Sequence, residues 1–333
     1  MRHIMTAAAL TLGMSATGIG AIGISATAQA ATHWDLPLAW PAGNYIVQSV
    51  QAWADRVRNE TNDAVQITLH AGGSLGFKGP EMISAIRDGL VPIGDVLLNQ
   101  QTGENPIFGL ESQPYLIAEF EDLQRFNKLF RPLLDEVLAS HNQKALFAIP
   151  WPQQQIFTKE PIASLADMKG LRIRSSDKQA TEIFQAAGMT PVQLPWGEVI
   201  PSLAAGAIHA VGTSSPSAVD GSFWELLKYA YPIRQTWNTN IVSVNLDAWK
   251  KLSPQEQEIL TRLGREMEPG FWQTARATDA AMMAKLAEHG MVMGVVSDEL
   301  RAELARRTVP LREAAIKRMG PKAQALVDAF NAQ

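Results

Sequence analysis

The chain has 333 residues, 46% of them hydrophobic, a formal net charge of −4 and no cysteine. Without cysteine there is no disulfide, no thiolate metal site and no cysteine nucleophile. A mildly acidic chain lacks the basic footprint of a nucleic-acid partner, so any anion it takes must be held by local positive groups.

Residues 1–30 read as an export signal. Arg2 and His3 form a short polar start, residues 4–27 are apolar or small, and Ala28-Gln29-Ala30 is a small-residue cleavage site. Cleavage after Ala30 would leave 303 residues (333 less 30), enough for two domains at about 150 residues each. Arg2 is the sole Lys, Arg, Asp or Glu of the leader, so the mature charge becomes −5, that is −4 less 1. No later stretch approaches the roughly 20 apolar residues of a membrane span. The expected location is a bacterial periplasm.

His33–Trp40 is the first predicted strand. Pro41-Ala42-Gly43 turns the chain, and Asn44 can cap a helix running to about Glu60. Ala64–Ala71 reads as a strand and Gly72–Gly79 as a Gly-rich loop. Pro80 suits the first turn of a helix that ends before Gly89. Val91–Leu98 is a nearly continuous apolar strand, as in a buried parallel sheet. Two helical stretches, about 120–128 and 131–141, lead to the strand Ala145–Ile149. Trp151-Pro152-Gln153-Gln154-Gln155 looks like a crossing point into a second unit.

That unit opens with Met168-Lys169-Gly170-Leu171-Arg172-Ile173-Arg174 and then alternates. Helix Asp177–Ala187, strand Thr190–Leu194, helix Trp196–Ala205 and strand Ala207–Gly212 imply parallel strands with crossover helices. Ligands of such sheets bind at the carboxyl ends of the strands. Three of those ends carry Arg174, Trp196 and Thr213-Ser214-Ser215. Strand Thr239–Asn245 follows, then a helix from Pro254 to about His289, capped by Ser253 and expected to bend or break at Pro269-Gly270. Strand Met291–Val296 and two terminal helices finish the chain. The expected fold is α/β with two hinged domains. Domain I would hold 31–150 and about 239–268, domain II 151–238 and about 290–333, with a long helix over about 254–289 spanning both.

"HAGGSLG", "SLADMKGLRIRSS", "AAGMTPVQLPWGEVIPSLAAGAIHAV" and the long helix together resemble the DctP-type solute-binding proteins of TRAP transporters. The resemblance spans about residues 34–330. It implies a two-domain periplasmic binding fold, no enzymatic activity, a small organic acid ligand and membrane permease partners. It also implies that Arg174 pairs with a ligand carboxylate, that Trp196 packs on the ligand and that Thr213 contacts it. The sialic-acid branch carries a second arginine where this chain has Gln154, which points to one carboxylate clamp. That branch has an asparagine in "D-G-Q-E-N-P" where this chain reads "H-A-V-G-T-S-S-P", which points away from a sugar acid.

Arg174 offers a planar fork suited to a carboxylate. Arg172, two residues back on the same strand face, reads better as a surface residue. Trp196 could cover an apolar ligand part or simply pack in the core. Ser215 with Pro216 fits a helix start, which leaves Thr213 and Ser214 as preferred hydroxyl contacts. Asn44, Gln154 and Phe77 complete the expected binding set, with Lys78 a weaker candidate. Trp40, Trp151, Phe223, Trp224 and Trp237 are further candidate walls. The favoured ligand is an aromatic or branched keto or hydroxy monocarboxylate, with a sugar acid or dicarboxylate as the alternative. No cofactor and no metal site is expected, since no histidine pair stands at a ligating helical spacing and no acidic loop resembles a calcium site.

Gly72-Gly73-Ser74-Leu75-Gly76 matches the G-x-S-x-G pattern of serine hydrolases. A nucleophile elbow needs a helix directly after its serine, and here the helix begins near Pro80. An exported hydrolase is the weaker class, and a binding protein for a different importer is a third.

Overall fold

The computed structural model describes residues 31–332. The expected leader and its cleavage site lie outside the described residues. The strands are β1 (Thr32–Pro37), β2 (Val65–His70), β3 (Ile93–Leu97), β4 (Gln143–Trp151), β5 (Gln155–Thr158), β6 (Arg172–Ser175), β7 (Thr190–Gln193), β8 (Ala210–Thr213), β9 (Tyr229–Tyr231), β10 (Asn238–Asn245) and β11 (Val292–Met293). The helices are α1 (Tyr45–Glu60), α2 (Met82–Arg87), α3 (Phe120–Ser140), α4 (Leu165–Met168), α5 (Lys178–Ala186), α6 (Val199–Ala204), α7 (Ser215–Asp220), α8 (Leu246–Trp249), α9 (Pro254–Glu288), α10 (Asp298–Met319) and α11 (Pro321–Asn331).

Two groups of strands organise the molecule. In the first lobe β1 and β2 pair in parallel, and β3-β10-β4 form a three-stranded sheet. The second lobe is one six-stranded sheet in the order β11-β9-β5-β8-β6-β7. Chain alternation correctly marks its parallel part: β6 pairs in parallel with both β7 and β8. Val91–Leu98 misleads, because β3 runs antiparallel to β10. A continuous apolar run reports burial on both faces rather than strand direction. Here Ile93 and Leu97 face one apolar cluster and Val96 faces the other.

Residues 152–154 carry the chain from β4 to β5, and residues 232–237 return it from β9 to β10. Helix α9 is the third link. Its Leu260, Leu263, Phe271 and Ala275 pack in the first lobe, while Leu286 packs in the second. Ser253 caps it, accepting from Glu256 N at 3.3 Å, and Pro254 occupies the first turn where its missing N–H costs nothing. The run continues through Pro269 rather than breaking, because Phe271 and Trp272 are buried just beyond it. Likewise the two stretches expected before β4 form one helix, α3, through Pro132. Phe126, Phe130, Leu134 and Leu138 lie on both sides of that proline in one core, and their burial outweighs one missing hydrogen bond.

The C-terminal region departs from the expected partition. Leu300 and Leu304 of α10 pack in the second lobe. Ile316 and the α11 residues Ala323, Leu326, Val327 and Phe330 pack instead in the first lobe with α3. Phe330 meets Phe126 edge-on at 5.3 Å. The tail therefore straps back across the lobes, because α11 carries an apolar stripe that the α3 face covers.

Candidate functional site

Parallel strands bring their carboxyl ends to one edge, and that edge forms one wall of a cleft. Arg174 sits on β6 in register with Val192 of β7 and Val211 of β8. Its side chain is 3% exposed. Nε donates to the carbonyl oxygen of Leu194 at 3.0 Å and Nη1 to that of Gly212 at 3.3 Å. Both acceptors lie at the ends of the flanking strands, so the guanidinium is fastened on two sides. Among the described residues its donors reach no carboxylate. Burial without a counter-charge pulls its pKa down to about 10, against the pull of Asp177. Asp177 is itself occupied, accepting from Asn99 Nδ2 at 2.6 Å, Ser176 Oγ at 2.7 Å and Ala180 N at 2.9 Å. The arginine is a buried cation in want of an anion.

The cleft is lined by Arg174, Trp196, Thr213, Ser214 and Ser217 from the second lobe, Trp40, Leu97 and Gln100 from the first, and Trp151, Gln154 and Asn238 at the crossing. As the lobes stand, the free space among these groups is about 20 Å³, room for about one water. A solute can enter only by parting them. Several bonds hold the lobes together: Asn44 Nδ2 donates to Asp220 at 2.5 Å, Asn99 to Asp177, and Gln179 Nε2 to the Ser112 carbonyl at 2.7 Å. Gln100 Nε2 donates to the Ser176 carbonyl at 3.3 Å. That bond orients its amide and leaves Gln100 Oε1 buried without a donor.

The structure brings together five of the seven expected binding residues: Arg174, Trp196, Thr213, Ser214 and Gln154. Trp196 packs on the apolar clusters of both lobes and stacks on Phe223 at 6.2 Å. Ser214, not Ser215, is the residue that precedes α7, and its hydroxyl makes no capping bond. It pairs with Ser217 Oγ at 3.3 Å, while Ser215 turns away to Asp279 at 2.5 Å.

Asn44 and Phe77 are placed elsewhere. Asn44 accepts from Ile46 N at 2.9 Å as the cap of α1 and spends its amide N–H on Asp220, so both ends of the side chain are engaged. Phe77 packs on the first lobe's second apolar cluster. Lys78 is exposed and pairs with Glu198 at 3.2 Å. Of the further aromatic candidates, Trp40 and Trp151 do line the cleft. Trp237 instead packs on Phe120, and Trp224 stacks on His289 at 4.0 Å. Gln100, Ser176 and Asn238 escaped the sequence reading. Gln100 and Ser176 each follow a strand end, which was the available signal.

Ser74 is exposed on a loop whose Gly72 and Gly73 have φ of 67° and 69°. Their N–H groups bond to Trp40 and Leu38 carbonyls, so the glycines serve a turn rather than a nucleophile. Among the described residues no group of three His, Cys, Asp or Glu side chains could hold a metal, and no helix is long and apolar enough to cross a membrane.

Residues 38–318 match the family described as DctP, bacterial extracellular solute-binding protein family 7. The chain belongs to that family. Two Bordetella pertussis extracytoplasmic solute receptors that bind pyroglutamic acid share its fold. DctP7 is 30% identical, covers 90% of this chain and 100% of its own, and superposes with a TM-score of 0.88. DctP6 is 29% identical, with coverages of 91% and 100% and a TM-score of 0.88. The sialic acid-binding periplasmic protein SiaP of Vibrio cholerae is 22% identical over 270 residues, 80% of this chain and 84% of SiaP. This is a periplasmic family of TRAP solute-binding proteins, and its members are receptors rather than enzymes. The long helix α9 and the two-lobed α/β architecture are those of this DctP fold.

Proposed function

We propose that this chain captures a small monocarboxylate in the periplasm and delivers it to TRAP permease subunits, after export and cleavage behind Ala30. The observation that carries the reading is Arg174, a buried guanidinium fastened to two carbonyls and lacking an anion. A carboxylate would complete its fork. Gln154 beside it is neutral, so the site supplies one strong anion contact.

The ligand class we infer is a compact ring acid that carries an N–H, with pyroglutamate the first candidate. Three features support it. Trp40, Trp151 and Trp196 close on a narrow space, which suits a flat small ring better than a long aromatic tail. The amide side chains Gln100, Gln154 and Asn238 line the cleft and can serve both the N–H and the C=O of a lactam, whereas a keto acid offers acceptors alone. The two Bordetella receptors that bind pyroglutamate are 30% and 29% identical. A branched keto or hydroxy acid is the second reading, favoured by the Thr213 and Ser214 hydroxyls beside Arg174.

Capture works by hinge closure. Residues 31–150 and about 239–268 form one body, and 151–238 form the other. The crossings at 152–154 and 232–237 supply the hinge, and the terminal helices contact both bodies. A thermal-shift and calorimetric panel of pyroglutamate, branched and aromatic 2-oxo acids, dicarboxylates and uronic acids tests the ligand. A ligand at 100 times its Kd stabilises by about 2.7 kcal/mol. Tight binding confined to dicarboxylates or uronic acids would overturn the class. Small-angle scattering with saturating ligand should show a smaller radius of gyration, and an unchanged value would overturn closure. Amino-terminal sequencing of the exported protein should begin at Ala31.

A further inference from the structure

The two indoles on the first-lobe side of the cleft are governed by a carboxyl that does not line it. Trp40 and Trp151 meet edge to face, with ring centroids 4.8 Å apart and planes at 70°. Both indole N–H groups point to protein acceptors. Trp40 Nε1 donates to Asp95 Oδ2 at 3.0 Å, and Trp151 Nε1 donates to Asn240 Oδ1 at 2.6 Å. Asn240 Nδ2 then donates to the same Asp95 Oδ2 at 2.6 Å. Two of these three donors end on one atom, and the third reaches it through the Asn240 amide. Asp95 Oδ2 is the common terminus that sets the direction of both rings.

The sheet explains how these groups meet. Asp95 of β3 is in register with Val242 of β10, and Leu97 with Asn240. Asn240 is in turn opposite Ile149 of β4, and Asn238 opposite Trp151. Alternation therefore puts Asp95, Asn240 and Trp151 on one face, among Ile93, Leu97, Ile149 and Val242 of the apolar core. An acid on that face is costly to bury. Among the described residues no cation compensates it. The carboxyl is 4% exposed, and among the described residues its hydrogen bonds come only from Trp40 and Asn240 and Oδ1 has no partner. The titratable group facing it from α1 is Tyr45, whose hydroxyl donates to the Pro150 carbonyl at 2.5 Å and whose ring meets Trp151 at 5.4 Å. Asp220 and Asp279 also act on Tyr45, and both are acidic. A leucine would pack here at less cost. What the acid adds is the angle between two cleft walls.

We propose that Asp95 is a positioning residue that sets the cleft's ligand specificity by fixing Trp40 and Trp151 edge to face. The walls then present one ring face and one ring edge, a corner that fits a small ring. The proposal rests on the reading that this cleft takes a small carboxylate on Arg174, and its test separates the two.

The test compares wild type, Asp95→Asn and Asp95→Leu in two measurements. The first is near-ultraviolet circular dichroism of the ligand-free proteins, which reports coupling between neighbouring indoles. The second is the ratio of Kd values for pyroglutamate and phenylpyruvate by calorimetry. Asn keeps one acceptor for both donors, so its spectrum and ratio should match wild type within about threefold. Leu removes the acceptor. Its melt should remain cooperative, its indole signal should change, and its Kd ratio should move by about tenfold or more toward phenylpyruvate. A leucine variant with the wild-type spectrum and ratio would overturn the proposal. Should Asp95→Leu fail to fold, Asn240→Leu frees Trp151 alone and must move both readouts in the same direction. If wild type binds neither acid, the ligand reading fails, while the spectra still decide whether Asp95 positions the indoles.

Discussion

Arg174 donates its Nε–H to the carbonyl oxygen of Leu194 at 3.0 Å. With the Nη1 bond to Gly212, this holds the guanidinium plane at the strand ends and leaves donors facing the cleft. Arg174→Ala should therefore remove binding while leaving a cooperatively folded protein. Removing one partner of a desolvated charge pair costs roughly 2–5 kcal/mol, about 30-fold to several thousand-fold in Kd. Arg174→Lys should fail nearly as badly, because an ammonium cannot reach both carbonyls and also grip a carboxylate. Calorimetry giving near-native affinity for either variant would remove Arg174 from the site.

Gln154 offers the converse experiment. Its backbone N–H and C=O bond to Thr236 and to Arg234 N at 3.0 and 3.1 Å, which fixes the Cα at the cleft edge. Gln154→Arg would introduce a second cation beside Arg174. We expect weaker binding of monocarboxylates and a gain of about tenfold for dicarboxylates, the size of one partly buried ion pair. Calorimetry with matched mono- and dicarboxylates checks the crossover. No gain for the dicarboxylate would mean that residue 154 does not face the ligand.

Asn44 tests closure apart from ligand contact. Its oxygen caps α1 and its amide bonds Asp220 across the cleft. Asn44→Ala loses both roles, and loss of the cap alone costs about 1 kcal/mol of stability. Asp220→Ala removes the cross-cleft bond and leaves the cap intact. Both variants should shift small-angle scattering of the ligand-bound protein toward the open form. Only Asn44→Ala should lower the melting temperature of the ligand-free protein by several degrees.

The outcome at Asn44 shows what a sequence can reveal here. Strand-end placement was legible for Arg174, Trp196 and Thr213, because helix-strand alternation fixes parallel strands and parallel strands share an edge. The capping role of Asn44 was legible and holds, while a polar residue before a helix satisfies the same sequence signal whether or not it also faces a ligand. Phe77 was misplaced because a loop aromatic is drawn to the nearest apolar cluster, which periodicity does not locate. The direction of β3 was hidden because burial on both faces erases alternation. Gln100 carried only the weak signal of following a strand end, and Asn238 carried none, since its place in the cleft depends on how two distant sheets meet. The return of α11 to the first lobe was hidden for the same reason.

The pH dependence of stability should reveal the buried acids. Burial raises the Asp95 carboxyl to about 7, against the bonds from Asn240 and Trp40 that pull it down. Burial likewise raises Glu111 to about 7 and Asp220 to about 6. Each of these acids holds a proton in the native state that the unfolded chain releases near pH 4. Unfolding then releases protons, so stability falls as pH rises from about 4 toward 7. Exposed acids oppose this at the low end. Glu303, held down to about 2 by Arg306 and Arg307, and Asp167, held down by the Ala163 N–H and Ser164, stabilise above pH 4 and lose that contribution below it. The stability maximum should lie near pH 4. Asp95→Asn removes one titration, and its denaturant-unfolding free energy should fall less steeply between pH 5 and 7, by up to about 1.4 kcal/mol per pH unit. The same slope in wild type and Asp95→Asn would show that Asp95 is ionised in the native protein throughout that range.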